Sequence, residues 1–449
     1  MIRKIIIPSR HTTLFILFSI LFLFSFSFSY GQADEGTVDN ALRTLKDVKV
    51  ISKTVTYSPY SLQYQLAIRQ PVDHSDTSKG FFYQYLQLLH RDFSKPMVME
   101  TEGYNGRAAR NELEQILDCN DMDIEFRYFN KSRPDPLQWQ YCTFEQATAD
   151  LHHINEVFHA LYHSKWISTG ISRGGETTLT YRYFYPNDVD LSVPYVAPIP
   201  NDIEDKRIYA FLDTAGGPSC VQKIRNLQIF LLQHEKEAIQ KIPFPERQLH
   251  YTAVGGVGQA FEYAVLEYPF SFWQISTLQE KDIPTDADLD HYLASVYKVF
   301  GSYISNFADE QNVGFNTHYY MTWQTGYYSY DITPFKKYLH YFTTSNPTSA
   351  ILPPDIPRHP YDPEFEKKIN AWLATDANKI LYIYGGRDTW TACSPQLSKQ
   401  GNVKKFIVPG ANHYYARIKN MPPALQEEFG NAIESITGLK ADFSVLNGQ

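Results

Sequence analysis

Cysteine is scarce in this sequence, with only four residues among 449: Cys119, Cys142, Cys220 and Cys393. None of them stands in a C-x-x-C pair or at the spacing of metal ligands, which argues against a cysteine-based metal site or a dithiol redox motif. If the chain is exported, four cysteines would allow three full disulfide pairings. We interpret them as structural or free thiols.

A histidine pattern typical of metal sites is also missing. His159 and His163 are four residues apart and could share one face of a helix, where they could hold a metal. No glutamate follows His159 as the H-E-x-x-H pattern requires, so a solvated or packed helix face is the alternative that we favour. We therefore expect neither a metal site nor a cofactor.

Basic charge is in short supply. The chain has 41 Lys and Arg against 49 Asp and Glu, and no basic stripe of the kind that binds nucleic acid. No internal repeat or low-complexity tract appears after residue 31. Hydrophobic residues make up 43% and charged residues 20%, a composition typical of a chain that buries a core.

The N-terminus begins with a basic segment, continues with an apolar run from Leu14 to Phe28, and then has small residues. This run is short, so a secretory signal peptide over residues 1–31 is favoured over an uncleaved membrane anchor. No cysteine lies near the cleavage point, which argues against a lipoprotein. Cleavage would leave 38 basic against 49 acidic residues, a net charge of −11. We predict an exported protein, periplasmic or extracellular, with no membrane contact after cleavage.

Strand and helix patterns alternate along most of the chain, which predicts an α/β fold with a doubly wound, mostly parallel sheet. Between residues 200 and 350 the pattern becomes helical and includes a dense aromatic tract from Tyr319 to Tyr330. We interpret this stretch as a helical cap over the carboxyl edge of the sheet. The predicted organisation is a hydrolase domain at 32–199 and 351–449 with a cap at 200–350. The oligomeric state stays open.

The predicted elements follow from hydrophobic periodicity. Residues 32–55 are expected to be a polar lead-in, and Thr143 with Gln146 predicts a capping box before a helix. Strands are predicted at 64–70, 80–90, 97–99, 123–129, 165–170, 189–198, 379–384 and 404–408, and helices after 146 and at 176–184, 221–239, 259–267, 286–300 and 423–436.

A sharp corner stands between the predicted strand at 165–170 and the helix that follows it. Its residues Gly170 to Gly174 match G-x-S-x-G with Ser172 at the centre. A serine at a cramped strand-to-helix turn needs neighbours without Cβ, and the turn lifts its Oγ above the sheet edge. An ordinary turn with a surface serine is the alternative, but the strand, turn and helix context favours a nucleophile elbow.

Two further polar residues follow predicted strands, Asp388 after 379–384 and His413 after 404–408. Serine needs a base near neutral pH, and the base needs a carboxylate to fix its tautomer. The order Ser172, Asp388, His413 is the order of α/β-hydrolases. Taken alone, Asp388 could be a turn carboxylate. His413 has competitors in the histidines at positions 318, 340 and 359.

The loop after the third strand is where the second oxyanion donor is expected. There the N–H or the phenol of Tyr104 would act beside the N–H of Arg173, near the positive end of a helix. Glu100 and Glu102 share a strand face in this region and could bind a substrate ammonium. A structural salt bridge to Arg107 is the alternative.

The sequence resembles the secreted bacterial prolyl tripeptidyl/tetrapeptidyl aminopeptidases, serine peptidases related in architecture to lysosomal Pro-X carboxypeptidase. The resemblance covers most of the mature chain. It implies an α/β-hydrolase fold with a helical cap, and release of an N-terminal tri- or tetrapeptide ending in proline. It also implies Ser172 as nucleophile, Asp388 as orienting carboxylate and His413 as base, with a proline pocket that we cannot assign. The motifs that carry it are Thr101–Tyr104, Gly170–Gly175, Tyr384–Asp388 and Asn412–His413.

The aromatic residues of the cap agree with this resemblance, because a proline ring packs well on aromatic faces, although plain core packing would use them too. The expected partner is a peptide with a free N-terminus. An esterase or lipase on the same scaffold is the first alternative, since the same triad cleaves esters. A non-catalytic protein that binds peptides or glycans is the second.

Overall fold

The structure of this chain, a computed structural model, describes residues 35–55, 62–107, 109–342 and 351–446. The predicted signal peptide lies outside these residues, so export remains a prediction. Among the described residues there is no helix with the length and apolar character needed to cross a membrane.

A nine-stranded sheet forms the centre of the molecule. Its spatial order is β1-β2-β3-β5-β4-β6-β7-β8-β9. The β1-β2, β2-β3 and β3-β5 pairs are antiparallel, and all other pairs are parallel. The mostly parallel sheet is therefore confirmed. The strands are β1 Val48–Val55, β2 Leu62–Pro71, β3 Phe81–His90, β4 Met97–Thr101, β5 Asn120–Ile124, β6 Trp166–Ile171, β7 Leu191–Tyr195, β8 Ile380–Gly385 and β9 Val403–Val408.

Helices cover both faces of this sheet. The first three are α1 Glu35–Thr44, α2 Glu112–Leu117 and α3 Phe144–His159, and α4 Arg173–Phe184 follows β6. From β7 to β8 the chain forms α5 Arg207–Leu212, α6 Gly217–Gln233, α7 Glu235–Lys241, α8 Phe244–Arg247, α9 Val257–Gln274, α10 Leu289–Phe300, α11 Asp309–Asn312, α12 Asn316–Thr325 and α13 Pro363–Thr375, and α14 Pro423–Thr437 comes last.

Strand side chains that alternate between the two faces explain the layering. Val98, Ile167 and Leu381 pack against α2 and α14 on one face. On the other face, Met97 and Trp166 lie in the apolar cluster of α1 and α3. Each face of a doubly wound sheet must be buried against helices, as is the case here.

The helices α6 to α10 have an apolar cluster of their own, centred on α9 and containing buried residues such as Leu227, Phe261 and Val296. This cluster agrees with a helical insertion between β7 and β8. Helix α13 differs, since its Ile369 and Leu373 pack with Ile380 of the sheet. The domain limits at residues 200 and 350 remain our proposal.

Several predicted elements need correction. The sequence predicts a polar lead-in at residues 32–55, but residues 35–55 form α1 and the edge strand β1. The sequence of β1 resembles a linker because it is exposed and contains Lys and Ser. The strand predicted at 123–129 is β5, which ends at Ile124, and Tyr128 beyond it has a left-handed φ of 69°. The capping box is half formed: Thr143 accepts from the N–H of Gln146, but the Gln146 side chain donates to Asp73.

All four cysteines lie within the described residues, and all are buried and free. Burial raises the pKa of Cys119 and Cys142, so these thiols stay protonated and behave as small apolar groups. His159, one of the two histidines at helical spacing, stacks on Trp166 with ring centroids 4.7 Å apart. This contact corresponds to a packed helix face.

Candidate active site

Ser172 lies at the corner between β6 and α4 with φ 59° and ψ −122°, a conformation that a side-chain-bearing residue rarely adopts. Its N–H donates to the carbonyl of Tyr195 at 2.9 Å, which holds the corner against β7. The G-x-S-x-G segment therefore forms the strained strand-turn-helix elbow that the sequence predicts.

The glycines of this elbow are required by close packing. A Cβ on Gly170 would lie 2.3 Å from the carbonyl oxygen of Gly174, and one on Gly175 would lie 2.8 Å from the Cβ of Ala197. Both contacts are too short for real atoms. The helix can thus follow the serine immediately only because its neighbours lack side chains.

Asp388 and His413 follow β8 and β9 at the carboxyl edge of the sheet, and they are in contact. His413 Nδ1 and Asp388 Oδ2 lie 2.7 Å apart, and both side chains are buried. The second carboxylate oxygen accepts from the N–H of Trp390 at 3.1 Å. A carboxylate can only accept, so Nδ1 carries the hydrogen and Nε2 is free to take a proton.

The three competing histidines have other partners. His359 Nε2 lies 2.9 Å from the Tyr320 hydroxyl, and His340 Nδ1 lies 2.6 Å from a Glu235 oxygen. His318 Nδ1 accepts from Arg173 Nη1 at 2.6 Å. Of the four histidines, His413 is the one that is paired with Asp388.

A cavity of about 60 Å³ lies beside Ser172. Its walls are mixed: aromatic and apolar residues such as Tyr327 and Trp390 stand beside polar ones such as Glu176 and His318. The Gln274 carbonyl accepts from the His413 N–H at 2.9 Å, which ties the main chain of the histidine to the cavity wall. The cavity is lined by Tyr104, Ser172, Arg173, Glu176, Pro198, Pro200, Gln274, His318, Thr325, Gly326, Tyr327 and Trp390.

Both predicted oxyanion donors lie at this cavity. Arg173 is the first residue of α4, where main-chain N–H groups have no partner within the helix. Burial raises the pKa of Tyr104 to about 12, and Tyr104 lines the same cavity as Ser172. A phenol that stays protonated is a hydrogen-bond donor over the whole physiological pH range.

The close approach of the Tyr104 loop to α4 gives a test of this oxyanion assignment. In Gly103→Ala, the new Cβ would lie 2.5 Å from Arg173 Cγ and 2.7 Å from its main-chain carbon, so the two donors must separate. We expect kcat to fall about 100-fold, the effect of losing one oxyanion donor. Gly401→Ala is the control, since nothing lies within 4 Å of its Cβ position. Equal activity of the two variants in a peptide hydrolysis assay would refute the assignment.

Glu100 and Glu102 are placed differently from the expectation of substrate binding. Arg107 Nη2 lies 2.5 Å from Glu100, and Arg107 Nε lies 2.5 Å from Glu102. Burial raises the pKa of both carboxyl groups, although Arg107 opposes this effect. Their geometry is that of the salt bridge we considered as the alternative.

Sequence reasoning missed Glu176 and the cap residues of the cavity. Glu176 could have been found, because it follows Ser172 by four residues and so lies one helical turn away. Trp390 could also have been found, because it follows β8 two residues after Asp388. His318 and Tyr327 could not be placed at the elbow, because the fold of the insertion alone brings them there.

Comparison with known protein families matches residues 36–433 to PS-10 peptidase S37. This chain belongs to that family. It is a serine peptidase, and its substrate is a peptide. The S37 peptidase is also 31% identical over 376 residues to the prolyl tri/tetrapeptidyl aminopeptidase of Streptomyces mobaraensis, a match that covers 80% of this chain and 78% of the relative.

Solved structures similar to this S37 peptidase include a proline iminopeptidase of Mycobacterium smegmatis, with a TM-score of 0.38, 11% identity and coverage of 83% of this chain and 97% of that one. A homoserine O-acetyltransferase of Staphylococcus aureus has a TM-score of 0.38, 12% identity and coverage of 84% and 95%. With scores this low, the α/β-hydrolase fold is assigned from the strand order and the elbow of the chain itself.

Proposed function

We propose that this S37 peptidase is a secreted exopeptidase that releases N-terminal tri- or tetrapeptides after proline through an acyl-enzyme, with Ser172, His413 and Asp388 as its triad. The observation that carries the proposal is the elbow serine in a cavity with aromatic walls on one part, at the sheet edge where His413 binds Asp388. The Streptomyces relative, whose name states a prolyl tri/tetrapeptidyl activity, supports the specificity.

In the proposed mechanism, His413 Nε2 removes the proton of Ser172 as Oγ attacks the carbonyl carbon of the substrate proline. The negative charge that develops on the carbonyl oxygen is stabilised by the Arg173 N–H and by Tyr104. His413 then gives its proton to the leaving amine, and the C–N bond breaks to leave an ester on Ser172. Water repeats the sequence to release the peptide and restore the serine.

The shape of the cavity supports proline as the residue before the cleaved bond. The enclosed part of the cavity is small, about 60 Å³, which favours a compact ring such as that of proline over a larger side chain. Tyr327 and Trp390 line this space, with their ring centroids 5.5 Å apart. Flat apolar rings pack well against such faces.

The proposed specificity predicts a clear order of substrates. We expect Ala-Ala-Pro-anilide to be cleaved with a kcat/KM at least tenfold above that of a short acyl ester, because only the peptide fills the cavity. Acetylation of its N-terminus should remove most of this turnover. Ala-Ala-Ala-anilide is the matched control for the prolyl ring. Faster cleavage of the ester would favour the esterase alternative, and equal cleavage of both peptides would refute the proline preference.

A further inference from the structure

The cavity beside Ser172 contains a carboxylate whose contact with its counter-charge is weak. Glu176 is 4% exposed and lines this cavity. Among the described residues its ion pair is with Arg173 Nη1, and this pair is long at 4.0 Å. A buried carboxylate with only a distant counter-charge is costly, and a ligand of positive charge would compensate it.

A second polar group lines the same cavity without a partner. His318 is 6% exposed, and its Nε2 has no hydrogen-bond partner among the described residues. Because Arg173 can only donate to His318 Nδ1, the hydrogen of the neutral ring lies on Nε2. His318 therefore contributes an unused N–H donor.

These two groups complement the two ends of one ligand, an ammonium and a carbonyl oxygen. We propose that Glu176 binds the free α-amino group of the peptide substrate and that His318 Nε2 donates to a main-chain carbonyl of the same acyl segment. This inference rests on the proposed function and takes the place of the substrate-binding role first considered for Glu100 and Glu102.

An anchor at Glu176, a fixed binding point for the α-amino group, explains how the peptidase selects the length of the N-terminal segment that it releases. An extended peptide advances about 3.3 Å per residue, so a fixed point for the ammonium sets how many residues reach Ser172. Substrates of the wrong length then lose either the anchor or the alignment of the cleaved bond.

The pH dependence gives an independent signature. Burial raises the pKa of Glu176, and the charged or titratable groups that face it are Arg173, Glu366, His318 and Tyr104. The carboxylate binds an ammonium only when ionised, so binding strengthens as pH rises through the raised pKa. It weakens again above about 8, where the α-amino group loses its proton.

The test compares Ala-Ala-Pro-anilide with its N-acetyl form in wild-type protein and in Glu176→Gln. We expect kcat/KM for the free amine to fall roughly 10- to 150-fold in the variant, the usual effect of losing a charged hydrogen bond. The acetylated substrate should change less than threefold. The ratio of the two values against pH should be bell-shaped in wild-type protein and flat in the variant, since any contribution of His413 cancels.

Glu267→Gln is the matched control. Glu267 is a buried carboxylate of α9 whose pKa burial raises to about 7, but Ser271, Tyr328 and Tyr330 satisfy it by hydrogen bonds. Its loss should leave the ratio unchanged. His318→Gln should weaken both substrates, because each retains the carbonyl. Labelling of Ser172 by a fluorophosphonate at the wild-type rate would show that each variant is folded.

The inference fails if Glu176→Gln keeps the wild-type ratio, or if Glu102→Gln abolishes it instead. Failure of the proposed function looks different, because wild-type protein would then cleave neither prolyl substrate. In that case calorimetry with Ser172→Ala decides the point. Tighter binding of free Ala-Ala-Pro than of its acetylated form, lost on adding Glu176→Gln, supports the anchor, and equal binding overturns it.

Discussion

Replacing Ser172 by alanine should reduce the kcat of peptide hydrolysis by roughly 10⁵- to 10⁶-fold, the largest effect that we expect from any single substitution. Without Oγ no acyl-enzyme forms, and the cavity and oxyanion donors can only assist the attack of water. Because the change removes only the hydroxyl oxygen of a half-buried side chain, the free energy of unfolding should stay nearly constant.

Asp388→Asn should act through His413. The Asp388 carboxylate accepts from His413 Nδ1 at 2.7 Å and so leaves Nε2 able to accept the serine proton. An amide can donate to Nδ1 instead, which places the hydrogen on Nε2 and disables the base. We expect a loss of about 10⁴-fold in kcat, as for this change in other triads.

Both variants are measured by anilide hydrolysis and by fluorophosphonate labelling. Ser172→Ala should lose the label altogether, and Asp388→Asn should be labelled slowly. Ser435→Ala, at an exposed position of α14, should behave as wild type. A Ser172→Ala protein that keeps its activity would show that another residue is the nucleophile.

Most strands of the sheet can be predicted from the sequence. β2, β3, β4, β6, β8 and β9 all lie within a few residues of the predicted ranges, because each has a run or an alternation of apolar residues. β1 was not predicted, because this edge strand is exposed on most of its length and has no apolar face that a sequence pattern could reveal. The aromatic residues after Ile124 have the sequence pattern of a strand, but in the structure they belong to a loop whose side chains are buried.

The residues of the candidate site also fall into two groups, those that the sequence predicts and those that it does not. Residues at strand ends, such as Ser172 and Asp388, can be found because topology brings the ends of parallel strands together. Side chains supplied by the insertion cannot, because His318 reaches the elbow only through contacts between distant helices. The pairing of Glu100 and Glu102 with Arg107 is equally hidden, since it depends on how a loop folds back on β4.

The second large effect that we expect concerns stability. Arg127 and Asp150 are fully buried and form a two-pronged ion pair, with Arg127 Nε 2.6 Å and Nη2 2.7 Å from the carboxylate oxygens. The remaining guanidinium hydrogens go to main-chain carbonyls, among them that of Tyr141 at 2.7 Å. Asp150→Asn leaves the Arg127 charge buried without a counter-charge, which should lower the free energy of unfolding by about 3–5 kcal/mol.

Denaturant unfolding of the variant measures this loss, with Glu428→Gln as the control. Glu428 forms a 3.5 Å pair with Lys404 in which both side chains are about half exposed, so its removal should cost at most about 1 kcal/mol. The double variant Arg127→Met, Asp150→Leu should recover much of the stability, because an apolar pair leaves no buried charge. A double variant as unstable as the single one would show that the carbonyl contacts of Arg127 or the 2.7 Å contact of His74 with Asp150, and not the ion pair, hold the structure.

The stability that the Arg127–Asp150 ion pair contributes should depend on pH in a definite direction. Burial alone would raise the pKa of Asp150, but Arg127 outweighs it and holds the pKa below its usual value. The contribution of the pair to stability is then fully present above about pH 4 and disappears as pH falls through the lowered pKa.

The residues beside Arg127 connect the ion pair to the active site. Phe126 lies under the Arg173 guanidinium at 5.6 Å, and the main-chain carbonyl of Tyr128 accepts from Thr317 of α12 at 3.1 Å. Asp150→Asn should therefore lower activity at temperatures where the protein is still folded, since the loop that supports the elbow and the cap loosens first.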